Sequence, residues 1–312
     1  MAARKIIIDT DPGQDDAVAI LLALASDELD VLGLSIVAGN VGLHHTTRNA
    51  AMICELAQRP DLPIFAGCAA PLARPLVTAE HVHGKTGLDG VALPEPQMPL
   101  QDRHAVDFII ETLRAEPVGT ITLCALGPLS NLASAFQRAP DIAARVAQIV
   151  LMGGAYSAGG NVTPCAEFNI FVDPEAAATV LACGAPIVMM PLDLTHQALT
   201  SQARVAAFRD LGTAAGQAVA SWTSFFDRYD ARKYGQDGAP LHDPCVIAYL
   251  LQPELFSGRD INVMVETQSP LTLGMTVADW WGATKRPTNV TFMTGLDAEG
   301  FFALLTERIA RF

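Results

Sequence analysis

Two patterns alternate along this chain. Short, β-branched or wholly apolar runs suit strands buried on both faces, and longer Ala/Leu-rich runs suit helices. Ile6 to Ile8 predicts a first strand and the apolar run Ala17 to Ala25 a first helix. Val31 to Ala38, Leu62 to Ala66, Thr120 to Ala125, Ile149 to Met152 and Ile187 to Met190 read as further strands. Helices are expected between them at Thr46 to Gln58, Ala105 to Ala115, Ser130 to Gln137 and Pro174 to Cys183. Beyond these, Ala203 to about Tyr229 predicts one or two helices, Pro244 to Leu251 another and Ala298 to Ala310 a last one. Ile261 to Val265, Thr272 to Val277 and Val290 to Met293 are strand-like.

Strands alternating with helices predict an α/β domain with a mostly parallel, open-twisted sheet covered by helices. Such sheets bind ligands at the C-terminal ends of their strands. Asp11, Asn40, Leu126, Gly153 and Asp193 all fall at those ends, which points to one shared crevice. From Cys68 to Asp102 no period holds, and a loop of that length is usually functional or mobile.

Composition narrows the picture. With 312 residues, 50% of them hydrophobic, and no linker or repeat, residues 1–312 are expected to form one domain. The formal net charge of −13 argues against a nucleic-acid polymer or an anionic membrane as partner. A small neutral or cationic ligand, or a metal, fits better. The longest apolar runs fall short of the ~20 residues a spanning helix needs. Six cysteines are scattered without a Cys-x-x-Cys pair, and the chain enters its first strand at Lys5, so a reduced, cytoplasmic protein is expected.

The chemistry concentrates in the turn Asp9-Thr10-Asp11-Pro12-Gly13-Gln14-Asp15-Asp16. Pro12 and Gly13 force the chain to turn, and Asp15 or Asp16 suits the start of the helix that follows. Two carboxylates ~5 Å apart repel by ~3 kcal/mol at an effective dielectric of ~20. Either some of them stay protonated or a cation sits among them, and all-oxygen ligands favour a hard ion such as Ca²⁺ or Mg²⁺. An EF-hand is excluded, because its glutamate position is Ile20 or Leu22. Asp9-Thr10-Asp11 also resembles the haloacid-dehalogenase phosphatases, although Gly13 stands where those have Thr or Val. A solvated acidic turn is the third reading.

Elsewhere each motif has a plain alternative. Asp243 before Pro244 is a ligand or a helix cap, and His242 beside it is a proton donor or a structural histidine. Asn161, Glu167 and Asn169 follow a glycine-rich loop and could bind hydroxyls or simply form turns. Gly84-Lys85-Thr86 lacks the upstream glycine and strand of a P-loop, and His81 with His83 lacks a third metal partner. Neither a Gly-x-Ser-x-Gly elbow nor a Gly-x-Gly-x-x-Gly fingerprint occurs.

Taken together, Asp9–Asp16, Ala38-Gly39-Asn40, His81-Val82-His83-Gly84, Leu151–Gly154, Ala166–Asn169, Asp193–His196 and His242-Asp243-Pro244 resemble the inosine–uridine-preferring nucleoside hydrolases. The resemblance continues to Thr272–Asp279 and so covers nearly the whole chain. It implies a Ca²⁺-dependent hydrolase that cleaves the N-glycosidic bond of ribonucleosides, as in nucleoside salvage. Asp11, Asp16 and Asp243 would ligate calcium with the main-chain carbonyl of Leu126, where many relatives have threonine. Asp15, Asn40 and Asn169 would hold the ribose 2′- and 3′-hydroxyls, and Asn161 and Glu167 the 5′-hydroxyl. His83 and His242 would lie near the base, with Asp11 as general base and His242 as leaving-group donor.

Around the base, Thr78 to Gly87 and Trp222 to Leu241 are expected to set preference and to close over substrate. Tyr229 and Tyr234 could stack on a base, whereas Phe225 and Phe226 read as helix core. Trp280-Trp281 and Gly238-Ala239-Pro240 resemble the pyrimidine-preferring branch, so uridine and cytidine are favoured over a broad or purine preference. A homodimer or homotetramer is the family's usual state. Two other classes stay open: a non-catalytic nucleoside- or ribose-binding protein, and a Mg²⁺ phosphatase of the Asp-x-Asp type.

Overall fold

The computed structural model describes residues 3–234 and 238–312, with the side chains of 226–234 outside that description. Its centre is a nine-stranded sheet in the order β3-β2-β1-β4-β5-β6-β9-β7-β8. The strands are β1 (Arg4–Thr10), β2 (Leu29–Ile36), β3 (Ile64–Ala66), β4 (Ile121–Ala125), β5 (Val146–Met152), β6 (Ile187–Met190), β7 (Phe256–Val265), β8 (Thr276–Asp279) and β9 (Val290–Leu296). All pairings from β3 across to β9 are parallel, and β7 runs antiparallel to both β9 and β8.

β1 shows why its sequence is apolar throughout. Ile6 and Ile8 are buried in the core on one face of the sheet and Ile7 in the core on the other. Alternation along the strand sends successive side chains to opposite faces, and helices cover both. β4 and β5 repeat the arrangement, with Cys124 and Val150 on the first side and Leu123, Ile149 and Leu151 on the second.

The strand order fixes the site. From β1 the chain moves outward through β2 and β3 and then returns to β4 on the other flank of β1. Parallel sheets open a crevice where the order reverses, at the carboxyl ends of the two diverging strands. Asp11 follows β1 and Leu126 follows β4, so both lie at that switch point.

Several boundaries differ from the periodicity reading. The first helix is Gln14–Leu24 and so begins before Ala17, with Asp15 and Asp16 in its first turn, at the helix start where they were expected. The segment from Ala203 resolves into two helices, Gln202–Asp210 and Ala214–Tyr234. The last part of the Thr272–Val277 prediction forms β8, while its start is a turn in which Met275 N donates to the Thr272 carbonyl. Three short helices had no periodic signal: Glu80–His83, Phe168–Val172 and Leu192–Thr195. Among the described residues, no helix is long and apolar enough to cross a membrane.

Candidate active site

The turn after β1 is held by donors from three directions. Thr10 Oγ1 donates to Asp16 Oδ1 at 2.5 Å, and the Gly13 amide donates to Asp16 Oδ2 at 3.0 Å. Asn40, at the end of β2, donates its main-chain amide to Asp11 Oδ2 at 2.6 Å. Its side-chain amide reaches the Asp11 carbonyl and Asp16 Oδ2, each at 3.2 Å. Gly39 and Gly127 pack directly on the Asp11 carboxylate, and a Cβ at either would overlap it. Asp11 Oδ1 is buried and has no hydrogen-bond partner among the described residues.

Asp243 enters from far along the chain. It stands at the N-cap position of the helix Pro244–Leu251, yet its side chain makes no capping bond. The carboxylate instead faces Asp16 and Asp15, so the cap reading gives the position of the residue but not the use of its side chain. One oxygen each from Asp15, Asp16 and Asp243 lie within 4.8 Å of one another. Asp11 stands against this triad. Burial first, then the charges of Asp16 and Asp15, push its carboxyl well above the usual range. Asp243 is raised well above its usual range for the same reasons, burial leading and the charges of Asp15, Asp16 and Asp11 following. Asp16 is raised by burial against the donors that hold it.

Among the described residues, no lysine or arginine forms an ion pair with Asp11, Asp16 or Asp243. At this spacing each ionised pair repels by about 3 kcal/mol at an effective dielectric of ~20. A hard divalent cation removes that repulsion and supplies Asp11 Oδ1 with the partner it lacks. The donor set therefore fits a metal.

Beside the acidic cluster lies a pocket that opens to solvent. Asp15, Asn40, Leu126, Asn161, Glu167 and Asn169 line it, as do His83, His242 and Asp243. The Asn169 amide donates to the Leu126 carbonyl at 2.7 Å and the Met152 carbonyl at 3.2 Å, tying the ends of β4 and β5 together. Glu167 caps the helix Phe168–Val172 by accepting from the amides of Asn169 and Ile170, and it also accepts from Gly154. Burial pushes its carboxyl up to about 7 against those donors. Asn161 Oδ1 accepts from the Phe168 amide at 2.9 Å. These residues thus form the loops and also line the pocket; the two readings are not exclusive.

Both pocket histidines are buried, and desolvation first pushes each down to about 3. Burial thus favours the neutral ring of each, and a neutral imidazole still has one N–H to donate. Its Nδ1 lies 2.7 Å from Thr195 Oγ1, and His83 Nδ1 lies 2.6 Å from Gln14 Oε1.

Asp193 is not brought to the crevice. Its carboxylate accepts from the amides of Tyr156, Ser157 and Ala158 and so shapes the loop after β5. Tyr229 and Tyr234, expected near the base, and Phe226, expected in the core, have side chains outside the described residues. Trp280 stacks on Tyr156 with centroids 5.4 Å apart, and neither lines the pocket. Sequence reasoning gave no role to His196, Met152 or Phe168, all of which line it. His196 and Phe168 lie at short helices with no periodic signal, and Met152 looks like any other buried strand residue.

Known proteins agree with this geometry over the whole chain. Residues 6–303 match the family described as inosine-uridine preferring nucleoside hydrolase. A pyrimidine-specific ribonucleoside hydrolase RihA of Enterobacter sp. is 48% identical over 311 residues, covering 99% of each chain. An uncharacterized protein of Schizosaccharomyces pombe is 53% identical over 307 residues, covering 98% of this chain and 99% of its own. Among solved structures, a purine-preferring ribonucleoside hydrolase from Gardnerella vaginalis superposes with a TM-score of 0.92 at 32% identity, covering 98% of each chain. With the switch-point crevice and its acidic cluster in place, the chain belongs to the inosine–uridine-preferring nucleoside hydrolase family.

Proposed function

We propose that this enzyme hydrolyses the N-glycosidic bond of pyrimidine ribonucleosides, uridine and cytidine foremost, to ribose and free base for nucleoside salvage, with Ca²⁺ as its metal. The observation that carries the reading is the buried acidic cluster, two of whose members, Asp15 and Asp243, also line the pocket beside it. Pyrimidine preference is supported by the RihA relative at 48% identity over the full length.

Asp11, Asp16 and Asp243, with the Leu126 carbonyl, would hold the ion, and the choice of calcium rests on an all-oxygen donor set. Bound there, the cation would supply Lewis acidity, helping to hold the ribose diol and making a nearby water more acidic. Asp15, Asn40 and Asn169 bind the 2′- and 3′-hydroxyls, and Asn161 and Glu167 the 5′-hydroxyl. Asp11 takes a proton from the water whose oxygen attacks C1′, a transfer worth roughly 10²–10⁴-fold. As the C1′–N bond breaks, its electron pair leaves with the base and positive charge builds on the sugar. The surrounding carboxylates stabilise that charge. His242 faces the departing base as a hydrogen-bond donor.

Release of uracil from uridine by the wild type and by Asp11→Ala tests the assignment. Loss of turnover in the variant is expected, and near-normal turnover would refute the role of Asp11. Ribose binding heat without any product would point to a binding protein instead.

A further inference from the structure

The hydrogen-bond pattern around the two pocket histidines determines which nitrogen of each carries its proton. Thr195 ends the helix Leu192–Thr195, is 0% exposed, and does not line the pocket. Among the described residues its hydroxyl makes one hydrogen bond, to His242 Nδ1 at 2.7 Å. A buried hydroxyl proton needs an acceptor, and leaving it without one costs about 1–3 kcal/mol. Nδ1 is the acceptor available, so Thr195 donates and Nδ1 carries no proton. Nδ1 is turned toward Thr195, and His242 itself lines the pocket.

His83 is held the opposite way. The Gln14 amide nitrogen donates to the carbonyls of His83 and Asp89, at 2.9 and 3.1 Å. That fixes Gln14 Oε1 toward His83 Nδ1, and an amide oxygen can only accept. His83 therefore carries its proton on Nδ1. Of the two histidines, His242 alone keeps an N–H on Nε2.

We infer that Thr195 is a positioning residue that locks His242 in the Nε2–H tautomer, so that the ring donates a hydrogen bond to the base carbonyl next to the glycosidic nitrogen as the bond breaks. This rests on the nucleoside hydrolase reading above and adds the residue that orients the donor. In a pyrimidine leaving as an anion, the electron pair from the C1′–N bond spreads onto the C2 carbonyl oxygen, and the hydrogen bond strengthens there. Uracil and cytosine share that oxygen, so a donor there serves both.

The test compares Thr195→Val and Thr195→Ser with the wild type on uridine and on p-nitrophenyl riboside, whose phenolate departs without a donor. Valine keeps the shape and removes the hydroxyl. It should lower kcat on uridine by at least about tenfold, up to the ~10²–10⁴-fold worth of a positioned donor, and change the nitrophenyl riboside by less than about twofold. Serine should restore uridine hydrolysis. Equal slowing of both substrates, or of neither, would overturn the inference. Histidine ¹⁵N shifts give a readout independent of turnover: in the wild type His242 Nε2 should be pyrrole-like and Nδ1 pyridine-like, and the reverse would overturn the assignment. A wild type that hydrolyses neither substrate would bring down the nucleoside hydrolase reading, while the ¹⁵N shifts would still decide the tautomer.

Discussion

The main-chain amide of Asn40 donates to Asp11 Oδ2 at 2.6 Å, so the loop after β2 holds the carboxylate that follows β1. The bond joins the segments that follow two adjacent parallel strands, and the other oxygen of Asp11 has no donor among the described residues. Because Gly39 and Gly127 close on the same carboxylate, Asp11 has little room to turn away. Its orientation is set before any ligand arrives.

Gly127→Ala tests that constraint. The added Cβ overlaps the Asp11 carboxylate, and overpacking of this kind costs typically about 1–3 kcal/mol. Calorimetric melting should show the lower stability, and a Ca²⁺ titration should show weakened binding. Wild-type calcium affinity in this variant would mean that the position of Asp11 does not matter to the ion.

Thr10→Val removes the hydroxyl that donates to Asp16 Oδ1 at 2.5 Å. Partners that orient a ligating carboxylate are typically worth about 10–100-fold in metal affinity. Titration calorimetry with Ca²⁺ should give a loss in that range, with a lower melting temperature from the buried Asp16 oxygen left without its donor. An unchanged affinity would place Asp16 outside the coordination sphere.

The opening turn could be read because its carboxylates are contiguous and the flanking segments, Ile6 to Ile8 and Ala17 to Leu22, are visibly core. Asp243 could not be read with the same force, since a residue before Pro244 looks like a helix cap until its carboxylate is seen to make no capping bond. The same holds for Thr195. Its short helix has no period, and its link to His242 spans 47 positions of sequence. Parallel strands were legible from their apolar runs, but the return of the chain to β4 beside β1, which makes the crevice, is a property of topology.

Stability should depend on pH through Asp9. Burial pushes its carboxyl up from 3.8 to about 7, against the donors Ser35 and Asn131. The folded state therefore holds a proton that the unfolded chain releases, and this contribution is fully present below about 3.8 and lost as pH rises toward about 7. A tenfold difference in proton affinity between the folded and unfolded chain is worth roughly 1.4 kcal/mol. Asp9→Asn lacks the titration, so its stability relative to wild type should rise between those pH values and then level off. A difference in unfolding free energy that stays flat with pH would contradict the assignment.

Base preference is read from kcat/KM on uridine, cytidine, inosine, guanosine and adenosine. The pyrimidines should lead by at least about tenfold, a difference of about 1.4 kcal/mol in transition-state binding. Inosine or guanosine in the lead would put this chain with the purine-preferring relatives instead.

The most direct test of the buried cation site is uracil release by chelator-treated enzyme before and after calcium is returned. Turnover should fall to background on chelation and recover when Ca²⁺ is added. Full activity in the stripped protein would contradict the account.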